Sequence, residues 1–168
     1  MEFLTLRRAA DRQVSPHQIA ERIERFTERI APMGVVVHRV ATIDAGMSIL
    51  QEIAAAIGTE MALISAQLAE AYADAFVETE TGGLRFDVAV DPAASRDAPL
   101  GVTLASHAIA ETGSVVLSEP DLAARSVGLL SLTLVVIVPT STILASLDEV
   151  AAFLRSQARR PGAPTARC

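Results

Sequence analysis

Between Gly101 and Leu117 the chain sets one carboxylate, Glu111, among hydroxyls, a histidine and a glycine: Thr103, Ser106, His107, Thr112, Gly113 and Ser114. Two short apolar runs, Ala108-Ile109-Ala110 and Val115-Val116-Leu117, flank this polar group. Runs of that length read as buried strands, which puts Glu111 at a strand end or turn. A solvated carboxylate is a poor nucleophile, and a strand-end position can desolvate it. Gly113 supplies the backbone freedom for a sharp turn or a close ligand approach. Backbone N–H groups around it could hold an oxyanion or a bound carboxylate. His107, four residues before Glu111, could pair with it as acid and base, or as two metal ligands. Arg125 is the only Arg between Arg96 and Arg155, and could clamp a carboxylate or phosphate with two N–H groups.

Each residue also has a plainer reading. Glu111 can accept hydrogen bonds from turn amides and fix a hairpin, and hydroxyls at turns cap their own backbone. His107 can be a partly exposed, unpaired ring. Arg125 can form an internal ion pair with Glu111 or Glu119.

The elements that must position these residues follow from periodicity. Residues 1–14 read as an N-terminal arm. Ser15-Pro16 starts a helix, with Ile19, Ile23, Phe26 and Ile30 as its apolar stripe and Pro32 and Gly34 ending it. Val35–Val40 is a strand that includes His38. A second helix opens at Thr42 or Asp44 and closes at Gly58, followed by a short buried strand, Met61–Ile64. A third helix runs to Phe76, Glu78–Gly83 is a turn, and Leu84–Val90 alternates as a strand with Phe86, Val88 and Val90 on one face. Asp91–Pro99 is a loop or one helical turn. After the central stretch, Ser118-Glu119-Pro120-Asp121 starts a helical segment with Leu122, Arg125 and Leu129. Thr133–Val138 is the clearest buried strand. Thr140 or Ser141 then caps a last helix carrying Ile143, Leu144, Leu147, Val150, Ala151 and Leu154. The expected architecture is one α/β domain over residues 15–160, a largely parallel sheet covered by helices on both faces, with residues 161–168 as a flexible tail. Such sheets bind ligands at the carboxyl ends of their strands.

Composition narrows the functions. The chain has 168 residues, enough for one domain with a real core. With 51% hydrophobic residues, 4% aromatics and no Trp, that core must be aliphatic. From Val40 to Val150 there are 3 Arg against 15 Asp and Glu, an acidic body that argues against nucleic acid. The absence of Lys excludes a Lys Schiff base and a P-loop lysine. A single cysteine, Cys168, rules out an intrachain disulfide and the four thiolates of an iron–sulfur cluster. No metal site is expected from the three scattered His, and no dinucleotide fingerprint is present, so no cofactor is expected. The first residues lack the order of a signal peptide, and Val127–Val138 is too short to span a bilayer. A cytoplasmic protein, with no membrane partner and a homodimer as the default assembly, is the expectation.

Gly101-Val102-Thr103, then Ile109-Ala110-Glu111-Thr112-Gly113-Ser114, then Arg125 before an apolar segment and strand, resembles the lactate-utilisation (LUD) domain family. Within it, the chain is most similar to the lactate-utilisation protein C branch. The Glu24-Arg25-Phe26 helix and the helix–strand order through residue 65 are in register with it. The chain departs from the family where Ser106 replaces an acidic or amide residue. Pro99 stands in place of an Asp, and Leu130-Ser131-Leu132-Thr133-Leu134 in place of a Leu-Pro-Pro run leading to a His. The resemblance implies a fold similar to the sugar-phosphate isomerases and coenzyme A transferases. It also implies a non-redox part in oxidising L-lactate to pyruvate beside iron–sulfur partner proteins. The resemblance carries two alternatives. Glu111-Thr112-Gly113 is similar to the Glu-x-Gly of coenzyme A transferases, whose Glu forms an acyl anhydride and then a thioester. That implies a stand-alone transferase or isomerase acting on an acyl-CoA or sugar phosphate. The departures instead fit a diverged module that binds a small anion or serves assembly. Glu111 is the candidate catalytic residue of the transferase or isomerase reading, whereas on the module reading it serves stability alone. Thr103, Ser106, His107, Thr112, Gly113, Ser114 and Arg125 are the candidate ligand-binding set.

Overall fold

In a computed structural model, which describes residues 2–6, 14–77, 83–119 and 121–158, nearly every expected helix start is a local capping motif. Strand β1 is Glu2–Leu6. Helix α1, Pro16–Ile30, opens on a capping box in which Ser15 Oγ accepts the Gln18 N–H and the Gln18 side chain accepts the Ser15 N–H. A single 3-10 turn, Ala31–Met33, and a left-handed Gly34 lead into β2, Val36–Val40. Helix α2, Ile43–Ile57, is capped by Thr42 and closed by Gly58 at φ 74°. Strand β3 is Met61–Ile64, and Ser65 caps α3, Ala66–Ala71. Helix α4 is Ala73–Val77, β4 is Arg85–Val88, and α5 is one turn, Pro92–Ser95. Strands β5, Leu100–Leu104, β6, His107–Ile109, and β7, Ser114–Val116, follow. Helix α6, Leu122–Leu130, is capped by Asp121. Strand β8, Thr133–Pro139, a short 3-10 turn, β9, Ile143–Leu144, and α7, Leu147–Ala158, complete the order.

Six strands form one all-parallel sheet in the order β2-β1-β8-β5-β3-β4. Parallel strands need crossovers, and these carry helices to both faces, so the central strands are apolar on both sides. Strand β8 shows the consequence. Leu134, Val136 and Val138 pack with Ile23, Phe26 and Ile30 of α1, while Val135 and Ile137 pack with Met47, Leu50 and Ile53 of α2. Helix α6 covers the α1 face further along, where Val127 meets Leu63. Gly101 permits that approach: a Cβ there would overlap the Ser131 side chain and stand 3.1 Å from the Val127 carbonyl oxygen.

Beyond the carboxyl ends of β5 and β8 the two chains run on together into a second, three-stranded sheet, β7-β6-β9. Strand β6 pairs antiparallel with β7 and parallel with β9. The hairpin expected between residues 108 and 117 is therefore present, and it is built over the end of the main sheet where ligands bind in this architecture.

Four expectations change. Residues 2–6, expected in an arm, form a strand inside the sheet, bonded to β2 on one side and β8 on the other. The third helix breaks at Tyr72, whose φ of -135° is not helical. The last helix starts at Leu147, because Ile143 and Leu144 pair instead with Ala108 and Ile109. On β4, an edge strand, Phe86 reaches the core but Val88 is exposed, and Val90, expected on the same face, lies past the end of the strand and is exposed too. The turn at residues 78–82 and the tail at 161–168 lie outside the described residues.

Candidate functional site

Glu111 sits in the turn of the β6–β7 hairpin, which the Gly113 N–H closes on the Ile109 carbonyl oxygen at 2.9 Å. Gly113 has φ 69°, and a Cβ there would lie 2.9 Å from Arg29 Cβ and 3.0 Å from Ile30 N. The glycine is thus needed twice, for the left-handed turn and because the turn presses on the end of α1. The Glu111 N–H donates to the Ala145 carbonyl at 3.2 Å, and its Oε2 accepts the Leu147 N–H at 3.1 Å. Its side chain is exposed and holds the start of α7. Thr112 Oγ1 donates to Ser114 Oγ at 3.0 Å on the exposed tip. The Ser106 N–H donates to the Val116 carbonyl at 2.9 Å.

His107 lies at the base of the hairpin, its ring centre 4.2 Å from that of Phe153 on α7. Its Nδ1 is buried and has no hydrogen-bond partner among the described residues. Burial lowers its pKa from the ordinary 6.5, because removing water penalises the imidazolium. The structure gives Glu111 and His107 separate partners.

A different grouping forms at the carboxyl end of β5. Thr103 shares strand parity with Gly101, so its side chain points to the α6 face, and it is fully buried. Its Oγ1 donates to Glu119 Oε1 at 2.8 Å. Glu119 is only 5% exposed, and its second oxygen, Oε2, has no hydrogen-bond partner among the described residues. Three bonds fix the loop that carries it. Gln67 Nε2 donates to the Ser118 carbonyl at 3.0 Å, Arg125 Nε donates to the Glu119 carbonyl at 3.0 Å, and Asp121 caps α6 through the Ala124 N–H at 2.8 Å. With its main chain held from the helix side, the Glu119 side chain is turned inward over the strand end.

Arg125, Glu119, Ser118, Leu117, Gly128 and Leu129 line an open crevice of about 360 Å³ beside this buried pair. Among the described residues Arg125 donates only through Nε. No carboxylate of a described residue lies within ion-pair distance of its guanidinium. The crevice therefore offers a cation with free N–H groups next to an apolar wall, over a buried carboxylate.

Thr103 and Arg125 are thus brought together through Glu119, whereas Glu111, Thr112, Gly113 and Ser114 belong to the hairpin tip. In the sequence Glu119 was legible as part of a helix start and as a possible ion-pair partner of Arg125, not as the partner of Thr103. An acid placed between a buried strand and a capping Asp was the available signal. Among the described residues, no group of three or more His, Cys, Asp or Glu could hold a metal ion. No helix among them is long and apolar enough to cross a membrane.

A parallel sheet covered on both faces by helices defines an α/β protein. The sequence model described as the LUD domain matches residues 23–167, and the chain belongs to that family. The family suggests involvement in lactate utilisation; β1 precedes the matched span. No curated protein and no solved structure gives a significant match.

Proposed function

We propose that this protein is a non-redox component of L-lactate utilisation, working beside iron–sulfur partner proteins that oxidise lactate to pyruvate. In this reading it acts in the cytoplasm and holds a small carboxylate in the Arg125 crevice. The observation that carries the ligand is the Arg125 guanidinium, steered by the Glu119 carbonyl through Nε alone, with its outer N–H groups left for a two-pronged contact. We assign Glu111 to holding the hairpin on α7 rather than to acyl transfer, since its Oε2 already accepts a helix amide. A fold shared with the sugar-phosphate isomerases and coenzyme A transferases belongs to the same proposal, as does a homodimer.

Two measurements test it. Deleting the gene with its neighbours intact is expected to impair growth on L-lactate, and unimpaired growth would refute the lactate role. L-lactate or pyruvate is expected to raise the melting temperature saturably, since a ligand that binds only the folded state stabilises it. Arg125→Gln is expected to abolish that rise. A rise that survives Arg125→Gln would refute the site.

A further inference from the structure

Helix α6 carries its large apolar residues outward. The residues it buries are Ala124, Ser126 and Val127, a small face that lets the helix lie close over Gly101, while its leucines stand in water. Leu122 is 64% exposed and Leu129 77%, and seven residues apart on a helix they share one stripe with Arg125 between them. Leu117, Leu130 and Leu132 are exposed as well, so five of the twelve exposed large hydrophobic residues described fall within positions 117–132. A single surface leucine needs no explanation, but a cluster marks a contact surface. Charge is sparse there. Of the three charged residues between Leu117 and Leu132, Glu119 is buried, which leaves Asp121 and Arg125, one of each sign. A face of leucines around one arginine has the composition of an interface core.

We propose that this face is a homodimer interface, in which α6 of one copy packs antiparallel on α6 of a second across a two-fold axis. The area fits that occupant. The five leucines expose on the order of 500 Å², as much as the largest patch of a typical monomer. With Asp121 and Arg125 the face approaches the roughly 800 Å² per partner of a stable interface. A two-fold contact must also match itself, residue i meeting j as j meets i. With the axis between Arg125 and Ser126, midway from Leu122 to Leu129, each Leu122 meets Leu129 of the other copy. The charges along the seam then run Asp121, Arg125, Arg125, Asp121 and sum to zero, and the two helix dipoles lie head to tail. An anionic membrane surface fits less well, since the chain carries a net charge of -6 and the face offers it one cation. Leu117 and Leu129 are also walls of the Arg125 crevice, so the second copy stands over its mouth. The inference rests on the homodimer of the functional reading, to which it gives a surface, and is independent of lactate.

The test is sedimentation velocity of the full chain over a hundredfold range of concentration, with no ligand added. The parent chain is expected to dimerise. Leu122→Glu and Leu129→Glu should each weaken the dimer at least tenfold; both side chains are exposed, so neither change disturbs the core. Met33→Glu, at a residue 74% exposed in the turn before β2, should leave it within twofold. The register is read by cross-linking in a Cys168→Ser background. Chains carrying Leu122→Cys and Leu129→Cys should form a disulfide when mixed and oxidised, much faster than either does alone. A monomeric parent would overturn both the surface and the homodimer, and its Leu129-dependent flotation with phosphatidylcholine vesicles would give the face to a membrane instead. A dimer that survives both glutamates would overturn the surface and leave the homodimer standing. Cross-linking no faster in the mixture than in either chain alone would overturn the antiparallel pairing.

Discussion

The carboxylate of Glu111 accepts the N–H of Leu147 at 3.1 Å, tying a hairpin turn to a helix start 36 residues further along. A second acid completes the clasp. Glu149 Oε2 accepts the Ala145 N–H at 3.0 Å, and its Oε1 stands 3.4 Å from Arg22 Nη2. Glu111 satisfies an N–H that the first turn of α7 cannot satisfy itself, Glu149 satisfies one just ahead of the helix, and both complement its positive end.

Removing the first of these bonds should act on stability. Glu111→Ala is expected to cost about 1 kcal/mol, the usual loss for a helix cap. Glu111→Gln keeps an acceptor oxygen and should cost roughly half of that. The check is a urea midpoint at unchanged slope. Pyruvate-induced stabilisation should be the same in both variants as in the parent chain. Its loss in Glu111→Gln would return the hairpin tip to the ligand site.

Gly113 and Gly58 share a left-handed backbone, at φ 69° and 74°, but differ in what surrounds them. Nothing lies within 4 Å of a Cβ added at Gly58, whereas at Gly113 the Arg29 and Ile30 backbone is met at 3.0 Å. Gly58→Ala should therefore cost only the conformational strain, about 1 kcal/mol. Gly113→Ala adds displacement of α1 from the turn and should cost about 1–3 kcal/mol more. Equal midpoints for the two variants would show that the hairpin tip is not seated on α1.

What the sequence disclosed and what it hid separate along physical lines. Helix α1 was legible because its cap, its proline and its apolar stripe lie within 16 consecutive residues, 15–30. Strand β8 was legible because both of its faces are buried, leaving an unbroken apolar run. Strand β1 was not, since its pairing is with the distant β2 and β8, with Glu2 opposite Val36 and Val135. The two residues of β9 likewise carry a helical pattern that pairing with β6 overrides. At the site, Glu111 drew attention through its neighbours in sequence. Glu119 matters through Thr103, 16 residues earlier, a contact that no local pattern announces.

That contact makes a thermodynamic prediction. Thr103→Val removes the only donor to the Glu119 side chain found among the described residues and strands a buried carboxylate, so a loss of about 1–3 kcal/mol is expected. With Glu119→Met in the background, the same substitution meets an apolar partner and should be nearly neutral. The coupling read from the double-mutant cycle is expected at about 1–3 kcal/mol. Additive costs would mean that the hydroxyl and carboxylate do not interact.

The pH response should come from the base of the hairpin. The folded chain holds His107 below its ordinary pKa of 6.5, because the ring is partly desolvated against Phe153. Unfolding returns it to water and to that ordinary value. Between the two pKa values the unfolded chain binds the extra proton, so stability must fall as pH drops in that window. The contribution is fully present above about pH 6.5 and is lost as pH falls through the folded value. His107→Phe keeps a ring against Phe153 but cannot take up a proton. Melting temperatures of the parent and of His107→Phe, followed from pH 8 down to pH 5, are expected to diverge below about pH 6.5, the parent falling faster. Parallel curves would mean that the ring is as well solvated in the folded protein as in the unfolded chain.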